Sequence, residues 1–262
     1  TGYGLTARDE LRALDIAKEM TDDATLLAAH VIPPEFEDRP DDYVALICNT
    51  MLPAARNRAR WVDVFCDRGA FTIEQTRRIL TVAQDLGFGL RLHANQLGPS
   101  NAVDLAIEFD CASADHLTHL TDSQVAALAD SNTVATLLPV AELSTRSPYP
   151  SARRLLDAGV TVALATDCNP GTSYTTSMPL CMALAVREMG MTPSEALWAA
   201  TAGGAAALRR SDLGHLSVGA RADLLLLDAP SHVHLTYRPG VPLIAGIWRG
   251  GHGWLPERIV YA

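Results

Sequence analysis

The chain has 262 residues, 48% of them hydrophobic and 19% charged, which is enough for one large domain with a substantial core or two small ones. Its formal net charge of −9 argues against a nucleic-acid or anionic-membrane partner, because there is no basic stripe to meet phosphates. No apolar run of about 18 residues predicts a membrane span, and no secretory signal opens the chain. The five cysteines include no C-x-x-C pair, so we expect a reducing compartment and a cytoplasmic protein.

The elements expected along most of the chain alternate between strands and helices, after a first helix over 7–20 with Thr6 as its N-cap. We predict six strands, at 24–33, 61–66, 89–96, 111–117, 133–139 and 161–167, and helices between them at 41–60, 73–86, 99–109, 122–130 and 149–158. The strands lack the clean alternation of a half-exposed sheet, and their spacing is that of βα units. This order predicts a parallel α/β fold, either a barrel or a doubly wound sheet.

The pattern changes after residue 167. Residues 178–209 are predicted to be helical, with Thr192 as an N-cap. Two stretches, 214–230 and 241–251, are predicted to be strands with glycine-rich turns, and they would form a small β element. We therefore predict two domains, 1–210 and 211–262.

Four side chains able to bind a metal lie at the ends of predicted strands: His30, His93, His116 and Asp167. In a barrel the carboxyl ends of the strands carry the active site. A carboxylate buried there costs several kcal/mol unless it is paired or binds a metal. These residues predict a metal site with Asp167 as ligand or proton acceptor, and nitrogen and oxygen ligands suit Zn²⁺ or Fe²⁺.

Blander interpretations of the same residues stay open. A lone histidine at a strand end is often structural, and Asp167 could simply cap the next helix. Tyr3 could be a core or turn aromatic. His119 lies three residues after a strand-end histidine, but we do not expect it to be a ligand.

Four motifs resemble the imidazolonepropionases, hydrolases of the amidohydrolase superfamily that act in histidine degradation. They are VDVFCDRGAFT (62–72), RLHANQ (91–96), ADHL (114–117) and ALATDCNPGT (163–172). TGYGL (1–5) is also similar to an upstream motif of the family, and the resemblance extends over essentially the whole chain. The segment at 214–228 resembles a signature of the entire superfamily, so it says little about the substrate.

The resemblance implies a metal-dependent (β/α)₈ barrel with a small β-sandwich, in which this chain lacks barrel strand one and most of strand two. It implies hydrolytic ring opening of 4-imidazolone-5-propanoate to N-formimidoyl-L-glutamate. The cofactor would be one Zn²⁺ or Fe²⁺/Fe³⁺ per subunit, the partner a small-molecule substrate, and the assembly a homodimer.

The resemblance also implies roles for individual residues. His93 and Asp167 would be metal ligands, and His116 would orient the attacking water or polarise the carbonyl. Asp167 would also move the proton. The substrate would be bound by Tyr3, His30, Asn169, Gly171 and Thr172.

Two departures from the family pattern limit these expectations. The family's H-x-H pair of barrel strand one is absent, and we do not transfer its role to HVH (232–234), so we expect the chain by itself to hold metal weakly. Gln96 stands where some members have an acid, and glutamine can hydrogen-bond the substrate ring but cannot act as a base. The alternatives are another amidohydrolase, such as a deaminase, and a catalytically dead barrel fragment.

Overall fold

The computed structural model describes residues 1–254, and these divide into two compact units that meet between residues 135 and 136 of the sequence. The division falls inside one strand. Residues 255–262, the end of the second predicted domain, lie outside the described part. The predicted domain boundary at residue 210 stays a prediction.

The first unit is built on parallel strands that pair in chain order. They are β1 (Thr25–Ala29), β2 (Trp61–Cys66), β3 (Gly89–Ala94) and β4 (Ser113–His116). The next strand, β5 (Val134–Leu137), continues the sheet through the Val134 N–H, which donates to the Ala112 carbonyl at 3.1 Å. Most strand residues are buried, which explains why the sequence showed apolar runs without alternation.

Helices of the first unit follow the predicted pattern with one exception. They are α1 (Ala7–Met20), α2 (Pro40–Leu46), α3 (Leu52–Ala55), α4 (Ile73–Asp85), α5 (Ala102–Glu108) and α6 (Asp122–Ala129), with a 3₁₀ turn at Pro34–Phe36. Thr6 caps α1 as predicted, since its side chain accepts from the Asp9 N–H. The helix predicted over 41–60 is confirmed for residues 40–55, where helical backbone is continuous, but it includes a π-helical turn at Ile47–Met51 between α2 and α3 and ends earlier than predicted. Pro53 has no N–H to donate within the helix, which favours such a widened turn.

The second unit contains the end of β5 and the sixth parallel strand, β6 (Val162–Leu164); the Ala165 N–H donates to the Leu137 carbonyl at 3.2 Å. Its helices are α7 (Pro139–Thr145), α8 (Ala152–Asp157), α9 (Met178–Glu188), α10 (Pro193–Trp198) and α11 (Gly204–Ala207), with a π-helical turn at Ala199–Gly203. Helix α7 was not predicted. Val140 on α7 packs with Cys181 and Leu184 on α9 in a buried cluster.

The small β element predicted near the C-terminus is a three-stranded antiparallel sheet, β7 (Leu224–Leu227), β8 (Ile244–Arg249) and β9 (His252–Trp254). The long strand expected at 214–230 shrinks to the four residues of β7. The HVH segment does not lie in a strand. It forms the start of a short helix, α12 (Val233–Tyr237), whose Leu235 is buried and which packs against α9.

The six parallel strands lie in the order β1-β2-β3-β4-β5-β6 with helices between them, so the α/β, TIM-like fold predicted from the sequence is confirmed. Within residues 1–254, no helix combines the length and apolar character that a membrane crossing requires.

Candidate active site

A row of aromatic rings runs along the carboxyl ends of β1 to β4. The ring centroids of Tyr3 and His30 are 5.1 Å apart, and those of His30 and Phe65 are 5.9 Å apart. The row continues from Phe65 to His93 at 5.6 Å and from His93 to His116 at 5.2 Å. The structure therefore brings together four residues predicted for the site and adds Phe65. Phe65 lies on the same face of β2 as Asp63, because alternate residues of a strand share a face. Its side chain has no polar group, so the sequence did not indicate that it belongs to a site.

His93 is held by a buried carboxylate that the sequence analysis did not single out. Its Nδ1 lies 3.1 Å from Asp63 Oδ1 and 3.0 Å from Oδ2, and the Asp63 side chain is only 6% exposed. Because an ionised carboxylate only accepts hydrogen bonds, Nδ1 carries the hydrogen, and in the neutral ring Nε2 therefore carries the lone pair. That tautomer is the one in which an imidazole binds a metal through Nε2, with its second nitrogen bonded to a carboxylate. The donor set at His93 thus fits the predicted metal.

A second acid, Asp115, lies beside this pair. The ligand-capable atoms of Asp63, His93 and Asp115 all lie within 4.8 Å of one another. Burial, and then repulsion from Asp63, raises the pKa of the Asp115 carboxyl, while the charge of Arg91 lowers it. Since His93 Nδ1 already donates to Asp63 and a guanidinium is near, we interpret Asp63 and Asp115 as a layer behind His93, not as a separate metal site.

His116 ends β4 in a strained conformation. Its φ is 76° and that of Leu117 is 61°, both in the left-handed region, where a non-glycine residue costs of order 1–3 kcal/mol. The side chain is 1% exposed, and within residues 1–254 its Nδ1 has no hydrogen-bond partner. Burial lowers the pKa of His116 well below its usual value. His116 is therefore a neutral imidazole with an unsatisfied nitrogen, as expected of a group that meets a bound molecule.

His30 is the first residue after β1, and its Nδ1 lies 3.0 Å from the carbonyl oxygen of Gly2. A carbonyl can only accept, so Nδ1 is the donor in this bond. Burial lowers the pKa of His30, and the bond to Gly2 opposes that shift only in part. A neutral His30 with its hydrogen on Nδ1 presents Nε2 as a hydrogen-bond acceptor.

The segment that carries Gln96 is fixed by hydrogen bonds to its backbone. Asp67 Oδ2 accepts from the N–H groups of Gln96 at 2.8 Å and Leu97 at 2.9 Å, and its Oδ1 accepts from the Arg68 N–H at 2.7 Å. Asn95 adopts a φ of 53°, and its side-chain amide donates to the carbonyls of residues 100 and 119. Sequence reasoning missed Asp67 and Asn95. Asp67 directly follows β2 and Asn95 directly follows β3, but only Asn95 has a predicted site residue, Gln96, beside it.

In the second unit, the residues predicted after β6 form a compact turn. Asp167 has a φ of 50°, and its carbonyl accepts from Asn169 Nδ2 at 2.6 Å. Asn169 Oδ1 accepts from the N–H groups of Gly171 and Thr172, both at 2.7 Å. An amide oxygen thus already accepts from the N–H groups of Gly171 and Thr172, and a substrate carboxylate would have to displace it. Cys168 is exposed.

The comparisons with known proteins identify the class. Residues 66–252 match the model of the amidohydrolase family, and the chain belongs to that family. Its structure is similar to that of N-isopropylammelide isopropylaminohydrolase from Burkholderia multivorans, with a TM-score of 0.71 and 21% identity. The match covers 95% of this chain and 67% of that one. It is also similar to a zinc-bound adenosine deaminase from Xanthomonas campestris, with a TM-score of 0.63 and 20% identity. That match covers 82% of this chain and 56% of the other. At these identities the two structures share the fold only.

The curated relatives are more specific. The chain is 64% identical over 251 residues to the imidazolonepropionase of Mycolicibacterium smegmatis, covering 96% of this chain and 63% of that protein. It is 66% identical over 253 residues to the imidazolonepropionase of Salinispora arenicola, covering 96% of this chain and 64% of that one. The chain therefore spans somewhat less than two thirds of the length of these relatives.

Proposed function

We propose that the protein to which this chain belongs hydrolyses 4-imidazolone-5-propanoate to N-formimidoyl-L-glutamate, a step of histidine degradation. The observation that carries the proposal is the identity of 64% and 66%, over 96% of the chain, to proteins named imidazolonepropionase. The tautomer of His93 and the unsatisfied nitrogen of His116 support it, because both suit a metal-dependent hydrolase.

We propose His93 and Asp167 as metal ligands. His93 lies at the carboxyl end of β3, and Asp167 follows the carboxyl end of β6, the strand ends that carry the active site in a TIM-like fold. The metal would be one Zn²⁺ or Fe²⁺/Fe³⁺ per subunit. When bound, such an ion lowers the pKa of a coordinated water to about 7.

The protein's own side chains would carry the other steps. The carboxylate of Asp167 accepts a proton from the attacking water and delivers it to the ring nitrogen as the bond between that nitrogen and the carbonyl carbon breaks. The neutral ring of His116 donates a hydrogen bond to the carbonyl oxygen as negative charge develops there.

The remaining predicted residues would hold the substrate. Tyr3 and His30 would line the pocket, and Gln96 would hydrogen-bond the imidazolone ring without exchanging protons. Asn169, Gly171 and Thr172 would meet the propanoate group, with the Asn169 oxygen giving way to a substrate carboxylate oxygen. We further propose that the protein is cytoplasmic and forms a homodimer. Light scattering of the purified protein would test the dimer.

The test is hydrolysis of 4-imidazolone-5-propanoate by the full-length protein, with and without a chelator. We expect turnover that chelation abolishes and added metal restores, and a loss of at least about 100-fold in His93→Gln, His116→Gln and Asp167→Asn. His119→Gln, which changes a histidine outside the proposed site, serves as the matched control. Turnover of this substrate that survives metal removal would refute the metal-dependent mechanism.

The alternatives give different results in the same assay. Ring opening retains both nitrogens in the product, so ammonia released in step with turnover would indicate a deaminase. A protein that binds metal but turns over no substrate would indicate a non-catalytic barrel.

A further inference from the structure

Glu10 is a buried carboxylate in the first turn of α1 that none of the proposed steps uses. It is 0% exposed. Its Oε1 accepts from the N–H groups of Gly4 at 2.7 Å and Leu5 at 3.1 Å, and the Gly2 N–H is shared between Oε2 at 2.9 Å and Oε1 at 3.2 Å. An unsatisfied buried carboxylate would cost several kcal/mol, and these backbone bonds offset that cost.

The loop at residues 2–5 is shaped around this carboxylate. Gly2 has a φ of +119° and Leu5 a φ of 57°, so both turn the chain through conformations that ordinary residues rarely adopt. At Gly4, an added Cβ would lie 2.8 Å from the Glu10 nitrogen and 3.0 Å from Oε1. The loop therefore approaches Glu10 as closely as glycine permits, and the residues on both sides of Tyr3 are tied to it.

The same loop shapes the pocket beside His30. The Gly2 carbonyl is the acceptor of His30 Nδ1, and the Tyr3 ring meets the His30 ring edge-on at 5.1 Å. A hydrogen-bond path thus leads from the Glu10 carboxylate through Gly2 to the ring of His30.

We propose that Glu10 is a positioning residue of the substrate pocket: it holds the Gly2 carbonyl on His30 Nδ1 and so reserves His30 Nε2 as an acceptor for a ring N–H of a small heterocyclic substrate. This inference rests on the proposed function, because an imidazolone ring offers such an N–H. Glu10 does not touch the substrate and acts only through the loop.

The variant Glu10→Gln separates the two ends of the carboxylate. Its amide oxygen can replace Oε1 and keep the bonds to Gly4 and Leu5. Its NH₂ group then faces the Gly2 N–H, donor against donor, so the 2.9 Å bond to Gly2 is lost and only the longer bond of 3.2 Å from the Gly2 N–H to Oε1 remains. Glu19→Gln, on the exposed end of the same helix, is the matched control.

The first measurement reads the tautomer of His30 without using activity. Full-length, metal-loaded protein labelled with ¹⁵N-histidine is studied by NMR, and the His30 signals are assigned with His30→Asn. We expect the hydrogen on Nδ1 in the native protein and in Glu19→Gln, and a mixture or the Nε2–H tautomer in Glu10→Gln. A native His30 with its hydrogen on Nε2, or an unchanged tautomer in Glu10→Gln, would overturn the proposal. If the variant does not fold, a native His30 with its hydrogen on Nε2 still overturns the proposal.

The second measurement is kinetic. Loss of one hydrogen bond to the substrate ring predicts a KM raised roughly 3- to 10-fold in Glu10→Gln, with kcat and metal content unchanged. A fall in kcat at constant KM would show that Glu10 supports the fold or the chemistry, not the pocket. Absence of turnover in the native protein would refute the proposed function, while the NMR result would still test the path from Glu10 to His30.

Discussion

Removal of the Asp63 carboxylate tests how the protein prepares His93 for a metal. In Asp63→Asn the acceptor of His93 Nδ1 becomes a neutral amide, and in Asp63→Leu it disappears. Both side chains of the native pair are well shielded, 15% exposed for His93 and 6% for Asp63, so water can replace the lost bond only in part.

The expected effect is on metal affinity. Loss of a carboxylate partner of a ligating histidine typically weakens metal binding about 10- to 100-fold, which corresponds to about 1.4–2.7 kcal/mol. We expect Asp63→Asn near the lower value, because the amide oxygen can still accept from Nδ1, and Asp63→Leu near the upper value. The fold should tolerate the asparagine well, since the change also removes the charge that repels Asp115.

The assay is competition for zinc between the protein and a fluorescent chelator, with thermal unfolding of the metal-free protein measured beside it. Asp85→Asn, at the exposed C-terminal end of α4, is the control. If Asp63→Leu folds and holds zinc within about twofold of the native affinity, the bond between Asp63 and His93 does not tune a metal ligand and the reasoning is wrong.

Three further predictions concern the described residues more widely. Gly89→Ala should lower the free energy of unfolding in urea by about 1–3 kcal/mol, because the new Cβ would collide with the indole of Trp61; unchanged stability would mean that the indole moves aside. Asp67→Asn should cost about 1–2 kcal/mol in the same measurement, since one of three backbone N–H bonds is lost, and an equally stable variant would contradict this. At pH 8 a thiol reagent should label the exposed Cys168 first, while Cys181, with its pKa raised to about 12 by burial, stays protonated; labelling that persists unchanged in Cys168→Ser would contradict this.

The strands were predictable because burial on both faces leaves continuous apolar runs that end in turn-forming or polar residues. All six were placed within a few residues of where they lie, including the end of β4 at His116. The helices were harder where local signals conflict. Pro139 was included in a strand although proline at a first helical position is favourable, and it starts α7. The helix at Val233–Tyr237 has only five residues, too few for a periodic pattern.

The candidate site divides in a similar way. Histidines at strand ends were visible because they interrupt apolar runs, and the structure places His30, His93 and His116 in one row. The carboxylates behind them were not visible. An acid such as Glu10 is common in the first turn of a helix, where the helix dipole favours it, and an aspartate such as Asp67 is common in turns. Neither position therefore indicates a site.

These hidden acids share a physical logic. Glu10 holds the loop that carries Tyr3, Asp63 holds the ring of His93, and Asp67 holds the backbone of Gln96. Each carboxylate is at least nine-tenths buried and satisfied by fixed donors, so each gains its full hydrogen-bond energy only if those donors stay in place. Moving the bound segment would break these hydrogen bonds and leave the buried carboxylate unsatisfied, so the carboxylate holds the segment in place. A neutral residue of the same size would pack equally well but would let that segment move, and for this reason we expect substitutions at the three positions to loosen the site more than they unfold the protein.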